Sequence, residues 1–140
     1  MIAVLQATPA GEPPYGWLAL FLGLTVVLVV ADLWTGLRGH RRVHIPCALA
    51  TLVCFVIAVR YADTVGRYWE FETLYKRIHL WGAAYPGTAL ALLTALTGGL
   101  HAWGKIGRTW HRRGALLFVL FLVLAVVSAL LMFLHGQRLA

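Results

Sequence analysis

GALLFVLFLVLAVVSALLMFLH, residues 114–135, is the stretch that decides the fold. It holds no Asp, Glu, Lys or Arg, and Ser128 is its one polar side chain before His135. As a helix it would reach about 33 Å at roughly 1.5 Å per residue, enough to cross about 30 Å of hydrocarbon. Lipid offers no partner for a peptide N–H or C=O, so a segment of this kind must satisfy its own backbone as a helix. Working outward, three more apolar runs are of similar length: residues 78–100, 43–62 and 15–37. Tyr15, Trp17 and Trp34 suit the aromatic belts at the two interfaces. Pro46 is expected in the first turn of the second helix, where the missing N–H costs nothing.

The composition agrees. Of 140 residues, 61% are hydrophobic and 12% charged, whereas soluble domains carry roughly 45–50% and about 25%. The expected fold is all-α: a single membrane domain over residues 1–140, with four transmembrane helices in an antiparallel bundle. Links of about five, fifteen and thirteen residues favour an up-down-up-down order. The link at 67–76, with Tyr68, Trp69, Glu70, Phe71 and Glu72, reads as a loop or as an amphipathic segment on the membrane. Pro9, Gly11, Pro13 and Pro14 make an irregular lead-in with no basic n-region, so no cleavable signal peptide is expected.

The net charge of +7 does not point to nucleic acid, because the cations sit in short clusters between apolar runs. Arg38, Arg41 and Arg42 lie in one link; Lys105, Arg108, Arg112 and Arg113 lie in another, and neither contains an acid. The positive-inside rule places both clusters in the cytoplasm and both termini outside. Cys47 and Cys54 are two helical turns apart, about 10 Å, too far for a disulfide, and read as small packing residues. In helix three, Ala83, Gly87, Ala91, Ala95 and Gly99 recur every four residues, the small-residue spacing that lets helices approach closely. Ala19, Gly23 and Ala31 repeat it more weakly in helix one. No internal sequence repeat is visible.

All six histidines map to the membrane edges. His44 and His101 fall at the arginine-rich level, and His79 and His135 at the opposite level. Paired imidazoles on facing helices are how membrane bundles hold b-type haem, so His44 with His101 and His79 with His135 are haem-ligand candidates. His79 and His101 share a helix face, at about 40° of offset. The plainer reading is that each histidine sits among headgroups or caps a carbonyl. His40 and His111, each followed by two arginines, look interfacial. Asp32 lies inside the first helix, where an unpaired carboxylate is expensive. It could orient a ligating imidazole by accepting its N–H, pair with a nearby loop arginine such as Arg38, or accept a proton. Arg60 could contact a haem propionate or snorkel to the surface. Copper finds no soft sulfur set here, and the identity of any other metal stays open. No nucleophile motif or phosphate loop is present. A transporter is disfavoured by the lack of matching broken-helix signals.

His40-Arg41, Tyr61, His79 and His111-Arg112 occur in an order that resembles a bacterial family of small four-helix membrane proteins of the oxidase-maturation type. The match covers about two thirds of the chain on short motifs. The His-Arg openings are also similar, more weakly, to cytochrome b561-like membrane proteins. The resemblance implies a role in building or accompanying a haem–copper oxidase or an electron-transfer unit. His44, His101 and His135 fall outside that pattern and pull toward haem ligation. The expected function is therefore a small subunit of, or associated with, a respiratory or photosynthetic electron-transfer complex, with haem b as candidate cofactor. Its expected partners are the lipid bilayer and other membrane subunits, in an electron-transfer or accessory role rather than independent catalysis. The alternatives are a cofactor-free accessory subunit and an oxidase assembly factor.

Overall fold

The computed structural model describes residues 11–139. The part of the lead-in before Gly11, Pro9 included, lies outside the described residues. Those described form an all-α protein with four helical spans long and apolar enough to cross a membrane, which suits a lipid bilayer environment. They fall into two compact units: one that ends at Glu70 and takes in the segment from Gln137, and a second, Phe71–Gly136.

The first unit is a helical hairpin of α1 (Tyr15–Arg38) and α2 (Arg41–Gly66). Gly39 turns the chain in the left-handed region at φ 74°, where a side chain would be strained. The Gly39 and His40 N–H groups cap α1 by bonding Gly36 O at 3.3 Å and Thr35 O at 2.9 Å. Two residues thus make the turn where about five were expected, because both helices run on through their arginines. This shifts Pro46: α2 begins at Arg41, so the proline lies inside the helix rather than in its first turn. The carbonyl of Arg42 loses its usual helical donor, close to a polar end where water or headgroups can serve it.

The α1–α2 seam is built from small side chains. Thr25, Val29, Thr51, Ala58 and Val65 are buried. The threonines turn their hydroxyls back onto their own helices, Thr25 to Phe21 O at 2.7 Å and Thr51 to Cys47 O at 2.9 Å, so no polar group is stranded. Cys47 and Cys54 are free thiols within this helix pair. At the end away from Gly39, the rings of Trp17, Phe21 and Tyr61 stack, and Trp69 Nε1 donates to Tyr15 OH at 2.9 Å. The link after α2 holds a two-residue strand, β1 (Trp69–Glu70), paired antiparallel with β2 (Gln137–Arg138).

The second unit packs its first span against α5 (Arg108–Leu134). That span is α3 (Thr73–His79), a π-helical turn (Leu80–Ala84) and α4 (Tyr85–Ala102). It starts five residues earlier than the apolar pattern suggests, since Thr73–Arg77 are helical but include the charged Lys76 and Arg77. The π turn has a cause. Pro86 has no N–H and would press on the carbonyl a turn back; widening that turn relieves it, and the Tyr85 N–H bonds Leu80 O, five residues earlier.

The small-residue stripe of helix three divides. Ala83, Gly87 and Ala91 are buried, while Ala95 and Gly99 are exposed. A step of four residues advances about 40° past a full turn, so the stripe winds off the seam. The seam continues instead through Thr94 and Gly98, at steps of three and four. Around the added Cβ of Gly114 lie Thr94 Oγ1 at 3.4 Å and Thr97 Oγ1 at 3.8 Å.

Candidate functional site

Asp32 of α1 faces His44 of α2 across the Gly39 turn. His44 Nδ1 lies 2.7 Å from Asp32 Oδ1 and 3.1 Å from the main-chain oxygen of the same residue. Both neighbours are acceptors, so Nδ1 must carry the proton and donate. The Asp32–Arg38 pairing considered from sequence does not form: the Arg38 guanidinium stacks 4.2 Å over the Trp34 ring. Asp32 and His44 are about a quarter exposed, 25% and 22% of their side chains. The imidazole lies on Gly36, where an added Cβ would meet His44 Cε1 at 3.0 Å.

His79 ends α3 just before the π turn, and its Nδ1 is 3.0 Å from Ser128 Oγ on α5. The serine proton goes to Leu124 O at 2.7 Å, so Oγ accepts and His79 Nδ1 donates. His101, near the end of α4, donates from Nδ1 to Ile106 O at 3.1 Å. Its ring is stacked with His111 of α5, with centroids 6.1 Å apart and planes 14° apart. His135, just past α5, donates from Nδ1 to Leu131 O at 2.9 Å and stacks on Tyr75 at 4.2 Å. In each case an oxygen fixes the Nδ1–H tautomer, and in the neutral ring Nε2 then carries the lone pair. That is the orientation of a metal-ligating imidazole with its outer-shell acceptor in place.

The candidate ligands are distributed as follows. His44 belongs to the first unit and His101 to the second. His79 and His135 share the second unit but are taken by different partners, Ser128 and Tyr75. At this level Phe71, in the link before α3, also meets Phe133 of α5 edge to face at 5.1 Å. A macrocycle between His79 and His135 would require the Tyr75–His135 stack to open. Arg60 is exposed, and its carbonyl accepts from the Thr64 hydroxyl at 3.0 Å. Asp63, three residues on, pairs with Arg67 at 2.8 Å, an exposed pair worth little. Of the family-like positions, His40 is the exposed residue before α2, and Tyr61 joins the Trp17–Phe21 stack. Among the described residues, no cluster of three or more His, Cys, Asp or Glu side chains could hold a metal ion.

The structure also exposes a repetition that the sequence reading missed. His44 is the fourth residue of α2, and His111 the fourth of α5. Each lies on a glycine of the preceding helix: the added Cβ of Gly98 would meet His111 Cε1 at 3.0 Å, as that of Gly36 meets His44. The glycines end matching strings, Asp32-Leu33-Trp34-Thr35-Gly36 and Thr94-Ala95-Leu96-Thr97-Gly98. The Thr-Gly pair followed by a histidine at the next helix start was the available signal, obscured by turns of unequal length. In the second copy the acceptor is a hydroxyl: Thr97 Oγ1 lies 3.5 Å from His111 Nδ1, and Thr94 stands where Asp32 stands in the first.

Gly36→Val should therefore push His44 off its seat and destabilise the first hairpin by about 1–3 kcal/mol, the usual cost of overpacking. Gly99→Ala, with open space around the added methyl, should be neutral or stabilising by up to about 1 kcal/mol. Paired unfolding curves in mixed micelles would check both; equal effects at the two positions would refute the seat.

Comparison with protein-family models, with curated proteins and with solved structures finds no match to this chain.

Proposed function

We propose that this chain is a small multi-pass subunit of, or assembly partner for, an electron-transfer complex in a bacterial cytoplasmic membrane, and that it contributes oriented imidazoles to b-type haem. The observation that carries the reading is the shared tautomer. His44, His79 and His101 each have an oxygen holding Nδ1–H, which leaves Nε2 as the nitrogen suited to iron. The order His40-Arg41, Tyr61, His79, His111-Arg112 supports the same reading through its oxidase-maturation likeness. Bound haem would supply one-electron chemistry. The residues of this chain would orient the rings, with Asp32 as the charged acceptor behind His44. The acid-free clusters at Arg38–Arg42 and Lys105–Arg113 favour a cytoplasmic location for both turns and an outer location for the termini.

A second reading, a cofactor-free accessory subunit, is favoured by one observation: His79 and His135 turn to Ser128 and Tyr75 rather than toward each other. The test is a reduced-minus-oxidised visible spectrum of protein purified after expression with ample haem. A sharp b-type α-band that disappears in His79→Ala or His101→Ala is the expected result. A flat spectrum, or one unchanged in every single histidine variant, sinks the haem reading. Co-purification with a larger membrane complex would then identify the accessory role.

A further inference from the structure

The second unit has a charge balance that its own residues do not close. Between Phe71 and Gly136 the sequence holds Lys76, Arg77, Lys105, Arg108, Arg112 and Arg113, and its one carboxylate is Glu72. Glu72 precedes α3, at the far end of a span running 30 residues from Thr73 to Ala102. As a helix that is about 45 Å, several times the roughly 8 Å over which charges act at physiological salt. Lys105, Arg112 and Arg113 therefore have no carboxylate within the unit close enough to offset them.

The turn that carries them is a built structure. Gly104 adopts φ 72°, and its N–H bonds His101 O at 3.0 Å. The Lys105 N–H bonds Leu100 O at 2.8 Å, and the His101 ring ties Ile106 O back to the end of α4. The stacked His101 and His111 rings brace α4 against α5 beneath it. Two indoles flank the cations, Trp103 at 78% exposure and Trp110 at 68%, and the Arg113 guanidinium lies 5.9 Å over the Trp110 ring. The first turn of α5 has neither an acidic residue nor a side-chain cap, so its positive end adds to the same field. Directly below, Leu116, Leu117 and Leu120 are exposed on α5.

We propose that this turn binds the headgroup phosphate of an anionic phospholipid. The arginines meet the phosphate, with guanidinium forks matched to its oxygens. Trp103 and Trp110 sit at headgroup depth, and the acyl chains run along the exposed leucines of α5. The leucines and indoles are what favour a lipid over a free anion, since inorganic phosphate would use the cations alone. The proposal does not rest on the haem reading, although His101 takes part in both.

The test uses the full chain, purified in detergent and delipidated, then offered phosphatidylglycerol, phosphatidylcholine or inorganic phosphate. Native mass spectrometry reads retained lipid and a melting curve reads stabilisation. Phosphatidylglycerol should be retained and raise Tm, while the other two do neither. Arg108→Gln, Arg112→Gln and Arg113→Gln should weaken retention by about fivefold for each cation removed. Arg112→Lys with Arg113→Lys keeps the charge, and with it the membrane orientation, and should keep most of the preference. Equal retention of the two lipids by the unaltered protein would overturn the proposal. So would inorganic phosphate matching the lipid's stabilisation, which would make this a free-anion site.

Discussion

Asp32→Ala is expected to destabilise the protein by about 1–3 kcal/mol in detergent. Removing one partner of a hydrogen bond between packed helices costs about 1–3 kcal/mol, because the group left behind has already lost much of its solvation. Asp32 and His44 are about a quarter exposed, which leaves the survivor part of that solvation. The Nδ1–H donor between the two helices would lose its carboxylate and keep the main-chain oxygen of residue 32 as an acceptor. Asp32→Asn keeps a side-chain oxygen in place and should lose about half as much, since a neutral hydrogen bond is roughly half as strong as a charge-assisted one. The check is a double-mutant cycle with His44→Ala, read by denaturant unfolding in mixed micelles. Coupling of at least about 1 kcal/mol is expected between residues in direct contact. Additive losses would mean that the 2.7 Å contact contributes nothing.

That pair also marks how far the sequence could be read. The four spans were legible because lipid allows one backbone solution for a long apolar run, and an uninterrupted run such as 114–135 signals it directly. Helix ends were less legible. Arg41, Arg42, Lys76 and Arg77 are helical yet charged, so hydropathy stops before the hydrogen bonds do. Asp32 was legible as an anomaly, but its partner was not. The choice between Arg38 and His44 depends on a two-residue turn at Gly39, and that turn is a matter of φ rather than of hydropathy.

The histidines show the same division. Their depth could be read from sequence, because depth follows position along a span. Which oxygen takes each Nδ1–H could not, because it depends on rotation about the helix axis. In helix three that rotation is altered by the π turn that Pro86 imposes. Ser128 looked like a minor polar interruption of the fourth span, yet it is the side chain that fixes His79. The Thr-Gly seats escaped notice because eight residues separate Gly36 from His44 and thirteen separate Gly98 from His111. A repeat held by packing, and not by spacing, leaves little trace in a linear reading.

The second large effect should come from Gly87, where α4 lies against the backbone of α5. An added Cβ there would lie 3.6 Å from Phe121 Cβ and 3.8 Å from the Phe121 carbonyl carbon and oxygen. Those are ordinary contact distances, so Gly87→Ala fits without displacement. It should be neutral or stabilising by up to about 1 kcal/mol, as alanine loses less backbone entropy in a helix. Gly87→Leu is different in kind. Its further carbons would have to occupy the space of the Phe121 main chain, which cannot rotate aside as a side chain can. The helices must separate, and Ala83 and Ala91, buried on either side of Gly87 along the span, lose contact with α5. Overpacking of this sort costs about 1–3 kcal/mol, and the lost seam contacts push the expected value to the upper end. Association between helices in lipid rests on close packing, since the bilayer is as apolar as the side chains, so no hydrophobic gain offsets the separation. Unfolding of the three proteins in mixed micelles should rank Gly87→Ala at or above the unaltered chain and Gly87→Leu well below it. A leucine variant as stable as the alanine variant would mean that α4 and α5 do not meet at Gly87.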